Sequence, residues 1–187
     1  MNLPRIAFAL AAVALVAAGL HAVIGAEPAP PASDPAVVPT ITVRELKDGN
    51  LAPARAMPAV RKDAATWKKD LPARVFAILR QQDTERPFTS ALLKEQRLGW
   101  FVCAGCGLPL YASADKFDSG TGWPSFTRAA DPAQIVRLSD QSHGWKRVEL
   151  RCARCDGHLG HVFDDGPAPT GERHCINGLA LDFKPAP

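Results

Sequence analysis

The chain has no block of lysine and arginine and no basic stripe with aromatics between. Its 22 basic and 19 acidic residues nearly cancel, to a net charge of +3. Nucleic acid is therefore a weak candidate partner, because phosphate binding rests on clustered positive charge. The glycine-rich loop "KFDSGTGWPSF" (116–126) lacks the Gly-Lys-Ser/Thr ending that cradles phosphates, so it does not read as a nucleotide loop. No alternation of strand-length and helix-length segments is visible, which argues against a parallel doubly wound sheet. Cysteine is scarce as well, with five in 187 residues and four of these in two C-x-x-C pairs. No internal repeat shows beyond those pairs.

A chain of this length suits one domain plus a tail. Arg5 precedes the uncharged apolar run "IAFALAAVALVAAGLHAVIGA" (6–26), and Glu27 follows it. One positive charge, an apolar core and small residues read as an export signal. The run also reaches the roughly 20 residues that span a bilayer, so an uncleaved anchor is the alternative. Positive charge on the N-terminal side holds that end in the cytoplasm and sends the remainder to the bacterial periplasm. Residues 27–40, "EPAPPASDPAVVPT", read as an extended spacer. Residues 41–62 carry no strong pattern, and 27–62 is assigned as a Pro/Ala-rich linker.

From Asp63 the signal sharpens. "DAATWKKDLPARVFAILRQQ" places Trp67, Leu71, Val75, Ile78 and Leu79 near helical spacing, with a break at Pro72. "TERPFTSALLKEQRLG" reads as a short helix ended by Gly99. Beyond it come short β-prone segments separated by Gly, Pro and Asp. The fold class is mainly β: a small, twisted antiparallel domain with short N-terminal helices.

Cys103/Cys106 in "CAGC" and Cys152/Cys155 in "CARC" each sit at a turn. Two thiolates on such a turn grip one face of a tetrahedral ion, and a second turn closes the site as a structural zinc centre. Alternatives are a redox dithiol, which wants a strand-to-helix junction, a pair of disulfides, and an iron–sulfur cluster. The fifth cysteine, Cys175, lies in "ERHCINGLALDF". If this segment is extended, Arg173, Cys175 and Asn177 share a face and Ile176 points to the core. A guanidinium beside a thiolate favours its ionised form. A lone cysteine is by default an inert buried one, and the pattern leaves the two readings even. In "GHLGHVFDDG" (157–166), His161 and Phe163 alternate onto one face, as a proton donor beside an aromatic wall would. His158 and His161 form a weak metal pair, and Asp164/Asp165 read as turn chemistry. Trp123, presented by the glycine loop, is either a pocket wall or a core anchor.

Taken together, "TERPFTSALLKEQRLGWFVCAGCGLPLYASADKFDSGTGWPSF" and "RCARCDGHLGHVFDDGPAPTGERHCIN" resemble the methionine sulfoxide reductase B family, in order and spacing, over residues 63–184. The resemblance implies a twisted antiparallel β fold and reduction of the R epimer of methionine sulfoxide, free or in proteins. It implies that Cys175 is the nucleophile and that Cys103, Cys106, Cys152 and Cys155 hold zinc. It also implies that Trp123 walls the methyl site, with His158, His161, Phe163, Arg173 and Asn177 completing the pocket. Glu85 matches a family position without an assigned role. Two residues depart from the pattern: Thr121 stands where the family often has a resolving cysteine, and His174 where Tyr or Phe is usual.

The implied chemistry is attack of the Cys175 thiolate on sulfur, with His161 protonating the oxygen and a sulfenic acid left behind. With four cysteines in the metal site, an external thiol or thioredoxin-like partner must then reduce Cys175. The rivals are a non-catalytic zinc-stabilised binding module and a zinc hydrolase using His158 and His161. The hydrolase needs an open metal position, which four thiolates do not leave.

Overall fold

The computed structural model describes residues 38–144 and 146–187. The apolar run 6–26 and the first part of the expected linker lie outside them. Among the described residues, no helix is long and apolar enough to cross a membrane.

Asp63 caps the first helix, α1 (Ala64–Asp70), by accepting from the Thr66 N–H at 2.7 Å. The helix stops at Leu71, which is extended, as a residue before proline tends to be. Pro72 then leads into α2 (Ala73–Gln81), which ends on Gln82 in the left-handed conformation. The expected break is therefore a true boundary between two helices. They bury Trp67, Ile78 and Leu79.

The expected helix at 84–99 is only a 3-10 turn, Ala91–Lys94. Gly99 does not end it but opens a strand, where a Cβ would meet the Lys184 carbonyl at 2.3 Å.

The linker assignment also needs correction. Within residues 41–62 and just before them lie β1 (Thr40–Val43), β2 (Leu46–Lys47), β3 (Asn50–Leu51) and β4 (Arg55–Pro58), paired β1–β4 and β2–β3. Val43, Met57 and Ala59 are buried in the core, and the Val60 N–H bonds to the Arg154 carbonyl at 2.7 Å. These apolar residues are too widely spaced to show a period, and their burial depends on partners some ninety residues away, such as Gln134, which bonds to the Arg44 carbonyl at 2.7 Å.

The remaining strands are β5 (Gly99–Cys103), β6 (Pro109–Ala112), β7 (Lys116–Phe117), β8 (Ser125–Phe126), β9 (Ile135–Asp140), β10 (Arg147–Cys152), β11 (His158–Phe163), β12 (Arg173–Ile176) and β13 (Leu181–Pro185). They form a six-stranded sheet, β7-β8-β12-β11-β10-β9, and a three-stranded sheet, β13-β5-β6. Every pairing is antiparallel, as expected. The inner face of the large sheet buries Leu150, Ile176 and Phe126, with Phe126 stacked on Tyr111 at 4.3 Å. The outer face carries the chemistry.

Candidate active site and metal centre

The register of the large sheet places Glu149, His161, Cys175 and Ser125 in one cross-strand row, through the pairs Glu149↔His161, His161↔Cys175 and Cys175↔Ser125. Directly opposed residues on one face have Cβ atoms about 5 Å apart. Cys175 therefore has an imidazole on one side and a hydroxyl on the other. The neighbouring row pairs Phe163 with Arg173.

A cavity of about 140 Å³ opens over this thiol, walled by Trp123, Phe163, His161, Arg147 and Asn177. Trp123 belongs to this wall. The buried anchor of its loop is Phe126.

Each wall residue is held from behind. The Trp123 indole donates to the Glu85 carbonyl at 3.1 Å, and the Glu85 N–H donates to Asn177 Oδ1 at 3.1 Å. The Asn177 amide donates to the Leu159 carbonyl at 3.1 Å. The buried Glu85 carboxylate accepts the Gly178 and Leu179 N–H groups. Burial pushes its pKa up, against the pull of those two bonds. His161 Nε2 lies 2.8 Å from Asp140, whose carboxyl is held well below the usual range by bonds from Ser142 and from His161.

Arg173 differs from expectation. Its guanidinium makes two bonds to Asp165, at 2.8 and 2.9 Å, and covers the Phe163 ring at 4.4 Å. That pairing holds the Asp165 carboxyl low, so Asp165 does more than turn chemistry. Arg173 and Thr121 both pull the Cys175 pKa down, but burial outweighs them and the thiol sits above its ordinary value. The resting group is a thiol rather than a thiolate.

His158 is also displaced from its expected place. A β-bulge at Leu150/Arg151 sets it opposite Arg151, and it is not among the residues lining the thiol cavity. It sits behind His161, ring centroids 5.6 Å apart, with Nδ1 2.6 Å from Glu149 and its pKa lowered by burial. His174 points away from the cavity, as alternation requires, and its Nδ1 lies 3.2 Å from the Tyr111 hydroxyl. Asp140, Arg147 and Thr84 were not read from the sequence. No motif marks them, and only the sheet register and the loop after α2 bring them to the thiol.

The two C-x-x-C turns are built alike. Each begins at a strand end and places a left-handed residue just past its second cysteine: Gly107 (φ 73°) and Asp156 (φ 59°). The Gly107 N–H bonds to the Cys103 carbonyl and the Asp156 N–H to the Cys152 carbonyl, both at 2.8 Å. All four Sγ atoms lie within 4.8 Å of one another, with Cys103–Cys155 at 3.6 Å and Cys106–Cys152 at 3.5 Å. Tetrahedral thiolate coordination of a zinc-sized ion needs sulfur separations of about 3.8 Å, so the donor set fits such a cation.

In the thiols by themselves, bonds from the other three cysteines lower Cys155, while Cys103 and Cys152 are pushed up. A divalent cation is what would let all four ionise together. Among the described residues this is the one cluster of three or more such ligands within reach of one ion.

A sheet domain clamped by four cysteines, with one separate thiol under an aromatic-walled cavity, has the layout of a thiol-dependent oxidoreductase. Residues 71–185 match the SelR domain. The chain is 51% identical over 118 residues to the peptide methionine sulfoxide reductase MsrB of Alteromonas mediterranea, covering 63% of this chain and 83% of that one. It is 49% identical to the protein of the same name from Leptospira interrogans (67% and 95%), and 50% identical to that of Bradyrhizobium diazoefficiens (67% and 91%). The chain belongs to the MsrB family of peptide methionine sulfoxide reductases.

Proposed function

We propose that the protein reduces the R epimer of methionine sulfoxide to methionine, with Cys175 as the attacking group. The observation that carries this reading is the thiol at the floor of the small cavity, between His161 and the Trp123–Phe163 wall. The methyl group of the sulfoxide packs against the two rings, which fixes the face of sulfur turned to Cys175 and so the epimer accepted. His161, steadied by Asp140, delivers a proton to the sulfoxide oxygen as sulfur is attacked. An S–S bond forms, the oxygen passes to Cys175, and the S–S bond and the methionine S–O bond break as methionine leaves. The balance is thiol plus sulfoxide giving thioether plus sulfenic acid, the thiol proton accounting for the S–OH hydrogen. Asn177 and Arg173 hold the strand end and the Phe163 wall.

Cys103, Cys106, Cys152 and Cys155 would hold one zinc ion. With four thiolate ligands and no open position its chemistry is structural, tying the β5–β6 turn to the β10–β11 turn. None of those sulfurs is then free to resolve the sulfenic acid, and Thr121 occupies the loop beside Cys175. The protein is a one-cysteine enzyme. Two equivalents of an external thiol, or a thioredoxin-like dithiol, return Cys175 to the thiol with release of water and a disulfide. Arg5 and the apolar run 6–26 support export to the periplasm, as a signal or an anchor. Mass spectrometry of the mature N-terminus distinguishes the two.

The test is reduction of purified R and S sulfoxides with dithiothreitol. Wild type turns over the R epimer only, Cys175→Ser abolishes it, and Cys103→Ser loses metal and stability first. A wild type that reduces neither epimer leaves a non-catalytic binding module. An intramolecular disulfide to Cys175 after one equivalent of sulfoxide would refute the one-cysteine reading.

A further inference from the structure

A line of hydroxyls runs from Cys175 into the protein. Thr121 Oγ1 lies 4.0 Å from Cys175 Sγ, Ser119 Oγ lies 2.8 Å from Thr121 Oγ1, and Ser125 Oγ lies 2.8 Å from Ser119 Oγ. The line ends at the Trp123 carbonyl, 3.2 Å from Ser125 Oγ. Each hydroxyl has one hydrogen, so this end point orients the whole line. A carbonyl only accepts, hence Ser125 donates to Trp123. Ser119 must then donate to Ser125, and Thr121 to Ser119. What remains for Thr121 is to accept from the Cys175 S–H. Ser119 also receives the Thr121 backbone N–H at 3.4 Å.

Loss of the thiol proton changes one member only. The Thr121 O–H can swing from Ser119 to the sulfur, while Ser119 keeps its bond to Ser125 and the Thr121 N–H. We propose that Thr121 is a catalytic residue whose hydroxyl switches from accepting the Cys175 thiol proton to donating to the thiolate, with Ser119 and Ser125 as the positioning residues that set its resting direction. The leaving proton goes to the cavity side, where His161 stands.

The other charged groups around the sulfur are Arg173 on its own strand, His161 with Asp140 behind it, Arg147 on β10 and Asp165 after β11. Asp118 bonds to the Gly120 N–H in the glycine loop, and Glu85 lies beyond Asn177. None of these is part of the hydroxyl line, so substitutions along the line leave them in place.

The catalytic consequence rests on Cys175 being the attacking thiol, but the test does not use turnover. Alkylation of Cys175 by iodoacetamide is followed across pH by peptide mass spectrometry, with metal content and far-ultraviolet circular dichroism as controls for folding. A hydrogen bond to a charged group corresponds to about one pH unit. Thr121→Val should therefore raise the alkylation midpoint by about one unit, and Thr121→Ser should restore it. Ser119→Ala, which frees the Thr121 hydroxyl from its resting acceptor, should lower the midpoint. A packing defect does not shift two neighbours in opposite directions. A Thr121→Val midpoint that stays with wild type, or a Ser119→Ala midpoint that fails to fall, overturns the proposal. A protein that reduces no sulfoxide still answers the question, because only the thiol is read.

Discussion

Glu85 illustrates how one buried side chain organises a site it does not touch. It is 2% exposed, and its carboxylate, N–H and carbonyl together engage Gly178, Leu179, Asn177 and Trp123. Glu85→Ala leaves two N–H groups without their acceptor, at a cost of about 2–3 kcal/mol in urea unfolding. Because burial raises its folded pKa above the ordinary 4.5, the native state binds this proton more tightly than the unfolded chain does. Wild type therefore gains stability relative to Glu85→Ala as pH falls through the folded pKa toward 4.5, and the gap between their unfolding free energies should widen. The role of Glu85 was not legible in "TERPF", since three of its partners lie 92 to 94 residues away along the chain and the fourth, Trp123, lies 38 away. Cys175 was legible as a candidate because four cysteines pair off and one does not. Its protonation state was not, because flanking charge is visible in a sequence and desolvation is not.

Among the elements, the β11–β12 pair carries the chemistry, and period-two alternation was enough to read its faces. "RHCI" and "HVF" turn the expected side chains outward and Ile176 inward. Alternation says nothing about which strand lies alongside. Arg147 and Asp140 reach the site through the β9–β10–β11 register, and the bulge that sets His158 behind His161 left no local trace. Main chain leaves no room for a side chain at Gly160, where a Cβ would lie 2.0 Å from the Cys175 carbonyl oxygen. That contact is with main chain and cannot be relieved by a rotamer change. Gly160→Ala should therefore force the two strands apart, lowering stability by about 3 kcal/mol or more. The loss of R-sulfoxide kcat/KM should be larger than for Ala substitution at any solvent-facing residue of β9. Thermal melts and steady-state kinetics on the two variants check this.

For the molecule as a whole, the cysteine cluster joins the two sheets: Cys103 ends β5 of the smaller one and Cys152 ends β10 of the larger. Folding and metal binding are then linked, since anything that binds only the native state adds to its stability. Removing the metal with a chelator should lower the melting temperature and broaden the transition, with re-addition of one zinc equivalent per chain restoring it. Mass spectrometry under native conditions gives the stoichiometry directly. Of this architecture, the antiparallel class, the helix break at Pro72 and the two cysteine turns were readable from local spacing. The β1–β4 layer was not, because its burial is assigned entirely by distant partners.

The separation of the cluster from the cavity also divides one element into two chemical populations. Cys103, Cys152 and Cys155 are at most 1% exposed and the part-buried Cys106 is the fourth member of their cluster, whereas Cys175 stands apart and is open to its cavity. A colorimetric disulfide reagent added to the native, metal-loaded protein should release one chromophore equivalent per chain. Denaturant with chelator should release the full complement of five sulfhydryls. The ratio of the two readings then serves as an internal gauge: loss of the first equivalent alone reports oxidation at the working sulfur, and a native reading above one reports a clamp that has begun to open.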